Sequence, residues 1–441
     1  MRKIFVVNIC FFSKNLYLCI VRVLIVNTSE RTGGAAVAAN RLMEALNNNG
    51  VKAKMLVREK QTRCLTVAST GNGWLQQWHF LWERLRIFVA LRFKRKHLFD
   101  VDIANTGTGI TSLPEFREAD VIHLHWINQG FLSLAGIRKI LASGKPVVWT
   151  MHDMWPATGI CHYAHDCGKI LTGCGDCPLL PGHSSNDLAA RVWRKKESLL
   201  QKGKISFVAC SQWLEKAARE SALLKDQEVT NIPNAIDTRV FRPTDCKQAR
   251  RQLGLPGDGK VILFVSQRVT DERKGLRYLT EAVAMLAEQH PELRQTATVV
   301  ILGGHAEEVE SQLALPSKSL GYVNDEQTLV SVYNAADVFV LPSLEDNLPN
   351  TIMEAMACGV PCVGFNVGGI PEMIDHEKTG YVAEPRNSAD LARGLAWTLL
   401  EADAESLHHE TVHKVARNYS QSSVATRYSE IYQNVLGNQQ L

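Results

Sequence analysis

The densest chemistry in the chain lies between Ala336 and Ile374, in the stretch ADVFVLPSLEDNLPNTIMEAMACGVPCVGFNVGGIPEMI. An apolar run, Val338 to Leu341, stops at Pro342-Ser343 and gives way to a polar loop holding Glu345, Asp346 and Asn347. A helical pattern follows at once. Pro349 suits its first turn, where a missing N–H costs nothing, and Gly359 suits its stop. Strand, acidic loop and helix start together offer carboxylates and free backbone N–H groups at one spot, which suits the phosphates and hydroxyls of a nucleotide. Cations stand ready elsewhere. Arg268 and Lys274, in QRVTDERKG, follow the strand expected over 260–266 and are placed to meet a diphosphate. Arg273 and Lys274 alone would read as a solvated charge pair; their value comes from the company they keep. A third candidate is His152, in TMHD, at the carboxyl end of an expected parallel strand, where open α/β sheets place ligands. His123 and His125 read as structural.

The elements that must position these groups alternate in two sets. From Val21 come a strand to Asn27, a loop with Gly33-Gly34, an Ala-rich helix over 35–48 and a strand over 51–57. The loop lacks the third glycine of the dinucleotide fingerprint and no acid closes the second strand cleanly, so a nicotinamide or flavin site is disfavoured. The two glycines let backbone approach a substrate group, or else make a plain tight turn. Strands at 121–125, after Pro146, at 206–210 and at 229–232 follow, with helices at 131–142, 186–202 and 213–220. The turn-rich PNAID and FRP segments from Pro233 to Pro243 then mark a boundary. The second set places strands at 260–266, 298–303, 320–323, 338–341, 361–365 and 381–384. Two sets of about 200 residues each imply an α/β protein of two doubly wound Rossmann-like domains facing a cleft. The expected division is an extension over 1–20, a first domain over 21–235, a second over 236–419, and a closing helix over 420–441 that packs back on the first.

Composition narrows the function. At 441 residues, 45% hydrophobic and 21% charged, the chain is an ordinary globular one, and its net charge of +4 makes no case for a nucleic-acid partner. Residues 1–20 are apolar but broken by Lys14, without a small-residue cleavage site or a clean spanning length, so neither a signal peptide nor a membrane span is expected. Eleven cysteines, mostly scattered, fit a reduced, cytoplasmic chain. Four of them, Cys161, Cys167, Cys174 and Cys177, crowd an insertion over 161–181. The C-x2-C spacing of the last pair suits a structural zinc; two disulfides or plain packing are the alternatives. Over 74–97, Trp74, Trp78, Trp82 and Leu85 recur at helical spacing and end in Arg92-Phe93-Lys94-Arg95-Lys96. That pattern suits peripheral contact with an anionic membrane face, or a core-facing stripe with a solvated basic tail.

The string PS-x-EDNLPN-x-x-MEAMACG-x-P-x-V, with Gly368-Gly369-x-Pro371-Glu372 after it, resembles the donor-binding core of glycosyltransferase family 4. These are retaining nucleotide-sugar enzymes of the GT-B fold. The likeness extends to the Gly33-Gly34 loop, His152, the Ile232-Pro233-Asn234 linker, Arg268 with Lys274-Gly275, and the closing helix. The cysteine insertion and the DNLPNT wording are similar to bacterial enzymes that build exopolysaccharide or lipopolysaccharide. The family motif has two glutamates with seven residues between them, and counting back from Glu354 selects Asp346, one methylene short, over Glu345. The resemblance implies a donor site that includes Gly33, Gly34, Asn234, Val323, Glu345, Asn347, Leu348, Pro349, Asn350 and Glu354, the last on the ribose. It implies His152, Arg268, Lys274 and Asp346 as the catalytic set, retention of configuration, a saccharide or lipid-linked acceptor, and no metal in catalysis. A nucleotide-sugar epimerase of the same architecture, or a non-catalytic adaptor of a polysaccharide assembly, are the rival readings.

Overall fold

The computed structural model describes residues 21–323 and 325–437; the segment over 1–20, expected to be an extension, lies outside them. Two all-parallel sheets organise the chain. The first orders its seven strands β3-β2-β1-β4-β5-β6-β7, with β1 Arg22–Ser29, β2 Lys52–Glu59, β3 Val67–Ser69, β4 Val121–Leu124, β5 Val147–Met151, β6 Ser206–Ala209 and β7 Val229–Asn231. The second orders six as β10-β9-β8-β11-β12-β13, with β8 Lys260–Arg268, β9 Ala297–Gly304, β10 Ser317–Ser319, β11 Val338–Leu341, β12 Cys362–Phe365 and β13 Gly380–Ala383. Central strands such as β4, β5, β11 and β12 are buried throughout. Strands covered by helices on both faces need such unbroken apolar runs.

Sequence reasoning misplaced two edge strands. The third strand of the second set is Ser317–Ser319, not 320–323, and β3 was not expected at all. Each is three residues long and only partly buried. An edge strand of that kind needs no apolar run to mark it.

The helix α1 (Gly34–Asn48) turns Ala36, Ala38, Ala39 and Ala45 inward. These small side chains let the closing helix, Gln421–Gly437, pack closely against it, with Val424, Ala425, Tyr428 and Tyr432 in a shared core. The chain crosses between its two sheets twice, and the crossings run side by side: the Ile236 N–H donates to the Tyr419 carbonyl at 2.9 Å, and Ile236 bridges Ser420. Among the described residues no helix is long and apolar enough to cross a membrane.

Candidate active site in the cleft

The carboxyl ends of both sheets open on one cavity of about 510 Å³. From the second sheet, the loop after β11 carries Asp346, Asn347, Leu348 and Pro349 to its wall, and Asn350 starts the next helix. This loop is held by close backbone packing. A Cβ on Gly368, whose φ is +55°, would stand 1.7 Å from the Asp346 carbonyl oxygen, so only glycine fits there.

The turn Glu272–Lys274 after β8 brings two cations to this loop. Lys274 Nζ donates to Asp346 Oδ2 at 2.5 Å, and Ser343 Oγ donates to the same oxygen at 3.2 Å. Arg273 Nη1 donates to the Glu345 carbonyl at 3.1 Å. Burial pushes the Asp346 carboxyl up, but Lys274 and Arg273 outweigh it and hold the group below the usual carboxylate range. The turn ends on Gly275 at φ +72°, where a Cβ would lie 1.8 Å from the Pro342 carbonyl oxygen.

The first sheet supplies histidines and a bound carboxylate. His152 Nε2 shares a proton with His125 Nδ1 across 2.9 Å, and its Nδ1 stands 3.6 Å from the Cys210 Sγ. Burial pushes His152 down to about 4, with Asp153 opposing, so the imidazole at the cavity wall is neutral near pH 7. Asp153 accepts from Trp126 Nε1 at 2.9 Å and from the Trp155 N–H at 2.9 Å. His162 lies between Asp153 and Asp102, 2.7 Å from each. Its burial lowers the pKa, yet the two carboxylates prevail and raise it to about 10. A buried imidazolium thus fixes the carboxylate beside His152.

The two halves are closed upon each other. Ser211 Oγ donates to Asn347 Oδ1 at 2.5 Å, and Asn347 Nδ2 donates to the His152 carbonyl at 3.0 Å. Asn350 Nδ2 donates to the Gly34 carbonyl at 3.0 Å, and Asn234 Nδ2 to Asn350 Oδ1 at 3.1 Å. The N–H groups of Gln212 and Trp213, at a helix start, each donate to the Glu372 carboxylate at 2.7 Å. The cysteine-bearing insertion also reaches across: His165 Nδ1 lies 2.7 Å from Glu345 Oε2, and the Tyr163 ring stands 5.4 Å from the Arg273 guanidinium.

Most of the residues expected from sequence meet here: Gly33, Gly34, His152, Asn234, Lys274, Asp346, Asn347, Leu348, Pro349 and Asn350 all line the cavity. Gly33 and Gly34 face open space: a Cβ on Gly33 would meet nothing within 4 Å, and one on Gly34 only Asn350, at 3.8 Å. Others stand apart. Arg268 is exposed and bonded to Thr270, although its neighbours Ser266 and Gln267 line the cavity. Glu345 faces His165, and Val323 does not reach the wall. The Glu354 carboxylate is taken up by Arg41 at 2.8 Å and by the Tyr333 hydroxyl at 2.7 Å, so it is not open to a ribose in this arrangement. Arg273 was noted but not placed in the site, and Tyr163, Trp126 and Asp153 were not singled out. The first and last adjoin the expected Lys274 and His152, and that adjacency was the available signal.

Among the described residues no three or more His, Cys, Asp or Glu are grouped to hold a metal ion, and Cys161, Cys167, Cys174 and Cys177 are all unpaired thiols. Cys174 Sγ accepts from the Gly159 N–H at 3.2 Å, and Cys161, Cys174 and Cys177 pack against the first domain's core. Burial raises Cys161 to about 12 and Cys177 to about 11. After burial, the neighbouring thiols add to these shifts, Cys174 and Cys177 on Cys161 and Cys174 and Cys167 on Cys177, so the four lie close together.

Two parallel doubly wound domains meeting at one cleft, with Arg273 and Lys274 on one wall, match the architecture of GT-B glycosyltransferases. The chain belongs to the glycosyltransferases: residues 32–240 match the model of Glycosyltransferase Family 4, and residues 259–401 that of Glycosyl transferases group 1. It is 26% identical over 309 residues to the D-inositol 3-phosphate glycosyltransferase of Corynebacterium jeikeium, covering 66% of this chain and 70% of that one. Among solved structures, sucrose-phosphate synthase of Thermosynechococcus elongatus aligns over 95% of this chain and 100% of its own, with TM-score 0.65 and 17% identity. HepE of Anabaena, in complex with UDP and glucose, aligns over 94% and 100%, with TM-score 0.60 and 17% identity. The fold is therefore GT-B, and the chain is a transferase.

Proposed function

We propose that this chain transfers a sugar from a nucleoside-diphosphate sugar to a hydroxyl of a saccharide or lipid-linked acceptor, with retention of configuration, in building a cell-surface polysaccharide. The observation that carries the donor half is the pairing of Arg273 and Lys274 against the Asp346 loop at the cavity wall. Glycosyl transfer builds positive charge at the anomeric carbon and negative charge on the departing diphosphate, so preorganised cations and N–H dipoles at the phosphates lower the barrier. Lys274 is held by Asp346 until a diphosphate competes for it, and Arg268, exposed and bonded to Thr270 in this arrangement, would have to turn inward to join it. The helix starts at Gly34 and Asn350 add N–H groups from both sides. His152 faces the sugar or acceptor from across the cleft, its neutral ring held by His125 on Nε2 with Cys210 beside Nδ1, and the diphosphate itself takes the acceptor proton. The interdomain bonds of Asn347, Asn350 and Glu372 close the cleft and keep out the water that would hydrolyse the donor. That HepE binds UDP and glucose on the same fold supports a uridine donor as the first to try.

The test is a panel of nucleotide sugars screened by thermal shift, then offered with acceptors. Glycoside product with its anomeric configuration conserved supports the reading. Donor consumption without glycoside would favour the epimerase, and no consumption the adaptor.

A further inference from the structure

The helix α2 (Gly73–Ala90) is built inside out. Its buried residues are Gln76, Glu83, Arg84 and Ile87, three of the four polar. Each polar one is held: Gln76 Nε2 donates to Thr70, Glu83 accepts from the Ile103 and Ala104 N–H groups at 2.9 and 2.6 Å, and Arg84 bonds Asp102 and the Leu98 carbonyl. Its outward face is apolar. Trp74 is 89% exposed, Trp78 59%, Leu81 54%, Leu85 49% and Val89 51%. At 3.6 residues per turn these five fall within an arc of about 80°, opposite the buried set. A helix that packs on a core normally does the reverse.

The surroundings of this face are cationic. Between Glu59 and Asp100 the sole acidic residue is Glu83, which is buried, whereas Arg86, Arg92, Lys94, Arg95 and Lys96 are all exposed. Phe93, within that run, is 68% exposed. Tryptophan and leucine on one face with lysine and arginine at its margin match the layered chemistry of a lipid surface: acyl boundary, headgroup level, anionic phosphates. The order of apolar face first and cation run at its margin follows the depth profile of an anionic bilayer, and on that ground the lipid surface is taken as the occupant.

We infer that the outer face of α2 and the basic run after it dock this chain on an anionic bilayer surface, with the helix lying in the plane of the interface. The position of α2 gives the docking a purpose. Its cleft-ward residues Gly73, Gln76, Gln77 and Phe80 line a groove of about 380 Å³ whose other walls are Arg58, Glu59 and Gln129. Those last three also line the active-site cavity. The groove thus adjoins the cleft across one shared wall, in which Arg58 bonds the Gln129 carbonyl and Glu59, and, resting on the transfer reading above, it is where an acceptor presented from the membrane approaches.

The experiment is sedimentation of the full chain with vesicles, without donor or acceptor, so that it stands apart from catalysis. Vesicles of phosphatidylcholine with one third phosphatidylglycerol should bind the chain at least tenfold more tightly than pure phosphatidylcholine, and high salt should weaken that binding. W74S/W78S and, separately, K94E/R95E/K96E should each lower binding tenfold or more while retaining the thermal midpoint and transfer to a water-soluble acceptor. Absence of binding to anionic vesicles, or equal binding by wild type and both variants, would overturn the inference. So would concentration-dependent dimerisation abolished by W74S/W78S with no vesicle binding, which would make the face a contact between copies. If transfer itself fails with every donor while vesicle binding holds, the docking surface stands and the acceptor path falls.

Discussion

The two walls of the cleft are made in different ways. The proposed donor wall draws on few segments: Asp346 to Thr351 are consecutive, and Val265 to Gln267 and Arg273-Lys274 add two more from one strand end and its turn. The proposed acceptor wall is gathered from scattered places, with Trp126 after β4, His152-Asp153 after β5 and Tyr163 from the insertion, and its Trp126–Asp153 bond is secured by His162 between Asp153 and Asp102. A contiguous loop held by glycine packing can keep one geometry for one chemical task, binding a diphosphate. A wall assembled from several segments can change one segment at a time, which suits the side that must recognise varied acceptors.

If that division of labour is right, the largest effect belongs to the donor cations. Lys274→Ala should cut transfer about a thousandfold, with the fold retained by circular dichroism, because one preorganised charge at the leaving group is lost. Gly368→Ala comes next. Its Cβ would collide with the Asp346 carbonyl at a positive φ, so it should cost about 2 kcal/mol in a chemical denaturation series and lower transfer about a hundredfold by displacing the loop. On the acceptor side, His152→Ala should cost about tenfold in kcat with the donor KM little changed. A loss as deep as that of Lys274→Ala would place His152 at the leaving group instead.

The insertion's reach across the cleft sharpens the contrast further. His165→Ala removes the contact with Glu345, a partly exposed pair worth little in stability, and should raise the donor KM only about threefold with an unchanged melting midpoint. The last effect concerns pH and stability rather than turnover. His162 is raised to about 10 from a free value near 6.5, so its pairing stabilises the fold fully below about pH 6.5, and that stabilisation is lost as pH rises toward 10. Lys196, pushed down to about 7 by burial, has the opposite trend over the same range. The gap in midpoint between wild type and His162→Gln isolates the histidine, and it should shrink steadily from pH 7 to pH 10. A constant gap would mean that His162 is neutral in the fold.

The same contrast explains what could be seen from sequence. The donor loop was legible because its strand, acid loop, proline and glycine are consecutive and each has a local physical meaning. The seven-residue gap before Glu354 selected Asp346, which does line the cavity and bind Lys274. Spacing could not reveal that Glu354 itself is engaged by Arg41, because that ion pair joins α1 to the other domain. Nor could it separate Arg273 from Arg268, since only the turn at 272–274 decides which side chain faces inward. The Trp stripe had two meanings at the level of periodicity. What separates them is that its buried neighbours are the polar ones, a fact about contacts with Asp102 and the 103–104 backbone rather than about spacing.

The most direct test is a single assay of wild type and Lys274→Ala with a labelled uridine-diphosphate sugar, or whichever nucleotide sugar the thermal-shift panel selects, and a soluble saccharide acceptor. Nucleoside diphosphate and glycoside should appear in equal amounts with wild type, and neither above background with the variant. Turnover by Lys274→Ala at the wild-type rate would contradict the assignment of the cation pair to the diphosphate, and diphosphate release without glycoside would contradict transfer itself.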